Sequence, residues 1–162
     1  MARALLGLFS GSIHTESKNC NLMQSARLIM YHKQSTSART RFLKLGHGGV
    51  CAFEPLPPMS QVPKRDEFPP DKVAQHPAVL ISRAEQVLGL PRSGLEREPG
   101  YRVRVVVPGE TIEVFLARFT DIDPPFELAE LLGADFIDLT QARGMVPAER
   151  QLLRLAYELI LG

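Results

Sequence analysis

Two aspartates in the second half of the chain have a spacing that a cation site could use. Asp121 and Asp123 are two positions apart, and alternate residues of a strand point to the same face. Paired carboxylates can hold Mg²⁺ or Ca²⁺. Pro124 and Pro125 follow directly, however, and an aspartate followed by proline is typical of a helix N-terminus. We therefore interpret Asp123 as a helix cap and predict no metal site.

Histidine and cysteine residues in the first third of the chain offer a second set of metal-ligand types. Five residues separate His14 from Cys20, and three separate His47 from Cys51. Structural zinc sites hold their cysteine pairs at closer and more regular spacings, so we interpret these side chains as free thiols and exposed imidazoles. Gly46-His47-Gly48-Gly49 lacks the Gly-Lys-Ser/Thr of a phosphate loop. The sequence thus predicts no catalytic residue, no cofactor and no metal.

The charge of the chain is distributed unevenly between its two parts. Residues 1–65 contain nine basic and two acidic residues, a net charge of +7, whereas residues 66–162 contain ten basic and sixteen acidic residues, a net charge of −6. Residues 1–58 also lack sustained apolar periodicity. We therefore predict that residues 1–58 form a disordered basic arm, either a mis-assigned extension with the true start at Met59 or a targeting segment. A proline-rich linker should follow over residues 59–75.

The remaining residues, 76–162, carry the patterns of an α+β domain. Residues 77–88 and 147–161 have helical apolar stripes that begin at a proline, and residues 124–132 should form a shorter helix. Two alternating runs over about residues 101–120 predict a β-hairpin, and residues 134–139 suggest a short third strand. We expect a small two-layer domain in which the helices pack on the hairpin.

Charge and apolar patterning also predict the register of the hairpin. Pro108-Gly109 breaks the pattern, and a two-residue turn there would place apolar pairs on one face and an Arg–Glu pair on the other. The predicted pairs are Val105 with Ile112, Val103 with Val114, and Arg104 with Glu113.

One face of this hairpin has the composition of an interaction surface. Arg102, Arg104, Glu113, Phe115 and Phe119 combine aromatic and arginine side chains, which protein interfaces favour. We take these five residues as the candidate interaction surface. A helix packed over the two aromatics would remove them from it.

Since no catalytic constellation emerges, the sequence favours a small cytoplasmic, non-catalytic accessory or protein-interaction module that binds a protein partner or forms a homodimer. We expect no membrane association and no nucleic-acid binding. One alternative is a divalent-metal-dependent enzyme that uses Asp121 and Asp123 together with Arg118. Another is nucleic-acid binding through the basic arm.

Overall fold

The computed structural model describes residues 26–63 and 76–162. Over these residues a mixed six-stranded sheet is combined with α-helices and one 3₁₀ turn, Leu139–Gly144. The strands are β1 (Ala26–Lys33), β2 (Thr40–Lys44), β3 (Cys51–Ala52), β4 (Leu95–Val107), β5 (Glu110–Phe119) and β6 (Asp135–Ile137). The helices are α1 (Pro77–Leu88), α2 (Phe126–Leu131) and α3 (Pro147–Leu161). The predicted α+β class is confirmed.

The sheet has the order β4-β5-β1-β2-β6, and β3 also pairs with β1. β1 runs parallel to β5, while the other pairings are antiparallel. β1 therefore lies at the centre of the sheet. Its residues are buried along nearly the whole strand, because it has neighbours on both edges and helices over both faces.

The prediction that residues 1–58 form a disordered arm is wrong for the described residues 26–58. Three strands, β1, β2 and β3, come from this part of the chain, and Leu28 and Phe42 within it are completely buried. The folded unit therefore begins before residue 76. Gln61, in the predicted linker, forms an isolated bridge with Val106. Residues 1–25 and 64–75 lie outside the described residues.

Alternate residues of β5 divide the core into two layers. Ile112, Val114 and Leu116 pack in one cluster with the buried side of α3, whereas Phe115, Ala117 and Phe119 pack in a second cluster with α1 and Ala129 of α2. Because successive strand residues point to opposite faces, helices cover both faces of the sheet. The expected two-layer packing on a hairpin is thus extended to three layers.

The ends of the two longer helices agree with the sequence prediction. The His76 ring Nδ1 accepts a hydrogen bond from the Ala78 amide, and Gly89 ends α1 with a left-handed φ of 69°. α2 is shorter than the predicted 124–132, and its N-cap is Pro125 rather than Asp123. No helix in the described ranges is long and apolar enough to cross a membrane.

The β4–β5 hairpin has the predicted register, but its first strand is longer than expected. Arg104 pairs with Glu113 across a two-residue turn in which Gly109 has a φ of 85°, as a type II turn requires at that position. β4 begins at Leu95, and a register shift separates Arg97 from Arg102. This β-bulge joins two well-paired stretches of the same strand.

Candidate functional site

Two arginines and a glutamate meet on the α1 side of the β4–β5 hairpin. Arg102 Nη2 lies 2.5 Å from Glu113 Oε1, and Arg104 Nε lies 3.7 Å from the same oxygen. The Glu113 side chain is only 7% exposed, while those of Arg102 and Arg104 are 32% and 17% exposed. Glu113 Oε2 is buried and has no hydrogen-bond partner among the described residues. The arrangement is a buried carboxylate beneath two partly exposed guanidinium groups.

Arg97 extends this cluster along β4. It is exposed, pairs with Ala117 in register, and places its guanidinium carbon 5.9 Å from the centre of the Phe115 ring. Since Phe115 and Ala117 belong to the α1-side cluster, Arg97 lies on the same face as Arg102 and Glu113. We call Arg97, Arg102 and Arg104 the arginine row.

Helix α1 packs over the apolar end of this face. Glu85 Oε2 accepts a hydrogen bond from the Gly94 amide at 2.9 Å, which fixes the end of α1 beside the start of β4. The apolar residues of β5 in this layer are Phe119, Ala117 and Phe115, and the next residue on the face is Glu113. The apolar core therefore stops where the charged cluster begins.

The outer side of α1 forms a shallow depression of about 440 Å³. Its lining residues carry no carboxylate; they are Ala78, Val79, Ser82, Arg83 and Gln86. Arg83 places its guanidinium carbon 5.1 Å from the centre of the Phe53 ring. This helix face can offer hydrogen-bond donors and positive charge, but it offers no anionic ligand for a metal.

The candidate metal ligands do not assemble in the part of the chain that the structure describes. No group of three or more His, Cys, Asp or Glu side chains suitable for a metal occurs there. Asp121 and Asp123 are exposed in the bend after β5, and the Asp121 carbonyl is held by the buried His32 ring, 2.9 Å from Nε2. Asp121 and Asp123 thus lack a third protein ligand within residues 26–63 and 76–162.

The second predicted ligand set is also engaged in other contacts. His47 Nε2 lies 2.9 Å from the Cys51 carbonyl oxygen, and His47 Nδ1 accepts the Gly49 amide at 3.1 Å. Cys51 is fully buried, and burial is the main cause that raises the pKa of its thiol. Both His47 nitrogens therefore serve the backbone of the loop before β3. His14 and Cys20 lie outside the described residues.

The structure separates the five residues of the candidate interaction surface. Phe115 and Phe119 are 1% and 3% exposed, because α1 packs over them, and including them in an exposed surface was wrong. Arg102, Arg104 and Glu113 do come together. The binding of a protein partner, formation of a homodimer, absence of nucleic-acid binding and the cytoplasmic location stay predictions.

Sequence reasoning missed Arg97 and Arg83. Arg97 follows a turn-rich stretch, and Glu96 and Arg97 are both charged, so no apolar–polar alternation indicates that β4 begins at Leu95. Arg83 occupies the polar side of a correctly predicted helix, where a solvated charge is the ordinary expectation.

The fold is similar to that of a solved protein. The "Crystal Structure of C. elegans Ap4A Hydrolase" matches this chain with a TM-score of 0.50 and 17% sequence identity, covering 85% of this chain and 96% of that chain. No protein-family model matches the sequence, and no curated relative does. At this identity the similarity concerns the fold.

This similarity contradicts the interpretation of the chain as a non-catalytic module, and with it the expectation that the protein has no catalytic activity. The matched fold is that of a hydrolase, and the alternative of a metal-dependent enzyme agrees with it better than an interaction module does. The mixed sheet with helices on both faces is a Nudix-like fold.

Proposed function

We propose that this protein is a hydrolase that cleaves phosphate anhydride bonds in polyphosphorylated nucleotides. The observation that carries the proposal is the similarity of its fold, over most of both chains, to that of an Ap4A hydrolase. Ap4A joins two adenosines through a chain of four phosphates, so the class of substrate is a nucleotide with an extended, highly charged phosphate chain.

The arginine row supports this choice of substrate class. Arginine presents a planar fork of N–H donors that matches phosphate oxygens, and it stays charged at any physiological pH. The three arginines lie on one face of the hairpin, opposite Ala117, Phe115 and Glu113. Guanidinium groups grouped in this way favour the approach of a polyanion.

A divalent cation is the usual means by which proteins neutralise transferring phosphoryl groups. Mg²⁺ can be held by one or two carboxylates together with substrate phosphates. The described residues do not fit this role, because no group of three or more metal-ligating side chains occurs among them and Glu113 Oε1 accepts a hydrogen bond from Arg102. We therefore assign no step of the reaction to a metal and assign the described residues to binding of the phosphate chain.

Hydrolysis adds one water across a P–O–P bridge. The water oxygen becomes part of one product, the bridging oxygen leaves with the other, and a proton is released. Charge on the phosphoryl oxygens must be stabilised while this occurs, and fixed hydrogen-bond donors do so without reorganising. Arg102 and Arg104 are held by Glu113 before any substrate arrives, which meets this requirement.

The full chain should release a mononucleotide product from Ap4A, measured by anion-exchange chromatography in separate reactions with Mg²⁺, with Mn²⁺ and with a chelator. We expect turnover in at least one reaction, reduced by about tenfold or more in the R102A/R104A double variant. R118A is the matched control, since Arg118 pairs with Glu96 on the opposite face. Absence of turnover with Ap4A and with nucleoside triphosphates under all three conditions would refute the proposal.

A further inference from the structure

We infer that the outer side of α2, together with the bend before it, is a docking surface for a basic, amphipathic segment of a partner protein. Exposed apolar side chains and an excess of acidic charge coincide on this part of the chain. α2 packs beside β6, which lies at the opposite margin of the sheet from β4 and the arginine row. The inference therefore does not depend on the proposed hydrolysis.

Large apolar side chains are concentrated at the surface of this segment. Leu131 is 85% exposed and Ile122 is 83% exposed, the two highest values among the large apolar side chains of the described residues. Phe126 and Leu132 are 52% and 43% exposed. We call these four residues the α2 patch. Single exposed apolar residues are ordinary, but a group of them marks an interaction site.

A series of contacts joins the bend to α2. The Asp121 carbonyl oxygen lies 2.9 Å from His32 Nε2, and His32 pairs with Arg41 across β1 and β2. The guanidinium carbon of Arg41 in turn lies 5.6 Å from the centre of the Phe126 ring. Ile122 follows Asp121 directly, so the bend and the first residue of α2 belong to one surface.

The same stretch of chain is strongly acidic. Residues 119–142 contain six acidic residues and no lysine or arginine. One of the six, Asp138, is paired with Arg39 at 3.1 Å. The other five are exposed: Asp121, Asp123, Glu127, Glu130 and Asp135. The α2 patch therefore has carboxylates around it.

Carboxylates and apolar side chains also alternate on α2 itself. Glu130 lies four positions after Phe126, and Leu131 lies four positions after Glu127. Residues four positions apart are neighbours on a helix surface. A partner that docks here must consequently bury apolar side chains and satisfy carboxylates at the same time.

A basic, amphipathic segment matches both features. Its apolar side chains would cover Ile122 and Leu131, and its lysine or arginine side chains would meet the carboxylates. Arg41 shows the same chemistry within the chain, because its guanidinium group lies over the Phe126 ring in a cation–π contact. A second copy of this chain fits less well, since a two-fold contact would bring the same acidic surface against itself.

The test uses a synthetic helical peptide of leucine and lysine that carries a fluorescein label. Its binding to the full chain is followed by fluorescence anisotropy at low salt. The control peptide keeps the leucines and has glutamate in place of every lysine. We expect the lysine peptide to bind at least about tenfold more tightly than the glutamate peptide, with an affinity that falls as NaCl is added.

Two pairs of variants locate the binding on α2. Leu131→Ser and Glu130→Lys should each weaken binding of the lysine peptide by about fivefold or more. Leu161→Ser and Glu158→Lys are the matched controls, because they change exposed side chains of the same kinds at the end of α3. The controls should change the affinity by less than about twofold. All four side chains are exposed, so the variants should fold.

Equal affinity for the two peptides would overturn the inference, and so would equal losses in the α2 variants and their controls. Sedimentation velocity provides the remaining outcome. A dimer of the full chain that Leu131→Ser dissociates would assign the α2 patch to a second copy and would also overturn the inference. We expect the full chain to sediment identically with and without this substitution.

Discussion

Glu149 is a buried carboxylate that ties the first turn of α3 to the loop before β3. Its Oε1 accepts a hydrogen bond from the Val50 amide at 3.2 Å, and the residue is only 4% exposed. A carboxylate in the first turn of a helix is also favoured by the helix dipole. One side chain thus connects the C-terminal helix to a loop about a hundred positions earlier in the chain.

Gly49 is the residue that allows this approach. A Cβ added at Gly49 would overlap the Glu149 carboxylate, which is buried and cannot move away freely. We expect Gly49→Ala to lower the free energy of unfolding by about 1–3 kcal/mol, measured by urea denaturation. Gly144→Ala is the matched control, because an added Cβ there meets no atom within 4 Å. Equal stability of the two variants would show that the Glu149 contact is not tightly packed.

Buried neutral acids make the fold sensitive to alkali. Burial is the main cause that raises the pKa of the Cys51 thiol and of the Tyr31 and Tyr101 hydroxyls. In the unfolded chain these groups ionise near their ordinary values, about 8.5 for cysteine and about 10 for tyrosine. Between those values and the raised pKa values the folded state binds more protons than the unfolded state. The free energy of unfolding should therefore fall as the pH rises above about 9.

Tyr101 provides a specific test of this dependence. Its hydroxyl donates a 2.9 Å hydrogen bond to the Leu152 carbonyl, so Tyr101→Phe should cost about 0.5–1.5 kcal/mol at neutral pH. Above pH 10 the variant should lose stability less steeply than the natural chain, because one raised pKa is gone. The measurement is urea unfolding between pH 7 and 11. Parallel pH curves for the two proteins would contradict this role of Tyr101.

Helix α3 packs on one face of the sheet. Leu152 and Leu153 are completely buried, whereas Leu161 at the end of the helix is 57% exposed. Leu152→Ala should lower the free energy of unfolding by about 2–5 kcal/mol, and Leu161→Ala should change it by less than about 0.5 kcal/mol. Thermal or urea unfolding compares the two directly. A small effect of Leu152→Ala would mean that α3 packs loosely on the sheet.

Helices and the hairpin turn could be predicted because their signals are local. Helices α1 and α3 each begin at a proline and carry a repeating apolar stripe. The Arg104–Glu113 pairing follows from the position of Pro108 and Gly109 in the turn. The bulge after Arg97 has no such local signal. Two of the three residues of the arginine row, Arg102 and Arg104, were therefore predictable, and Arg97 was not.

The centre of the sheet is formed by β1, which lies in the part of the chain that the sequence predicts to be disordered. A strand buried on both faces shows no alternation, and β1 carries Arg27 and His32 within its buried run. Arg27 is stabilised by the Ala26 carbonyl and by Glu54, and His32 by the Asp121 carbonyl. These hydrogen-bond and ion-pair partners come together only in the tertiary structure. From the sequence alone, Arg27 and His32 therefore argue against a buried strand.

A true start at Met59, one of the sequence-based expectations, implies that a chain beginning there would fold as well as the full chain. Such a chain would lack β1, to which β5, β2 and β3 all pair. We now expect it to show no cooperative thermal transition, whereas the full chain should unfold in one. Near-ultraviolet circular dichroism during heating distinguishes the two. A cooperative transition at the same temperature in both would refute the central position of β1.

The proposed binding of a phosphate chain is tested most directly by mapping where a polyphosphate binds on the protein. Amide resonances of the isotopically labelled full chain should be followed by nuclear magnetic resonance during titration with tripolyphosphate. We expect the largest saturable chemical-shift changes at Arg97, Arg102, Arg104 and Glu113, on the sheet face beside α1. Shifts confined to another region, such as the bend at Asp121 and Asp123, or the absence of saturable shifts, would contradict it.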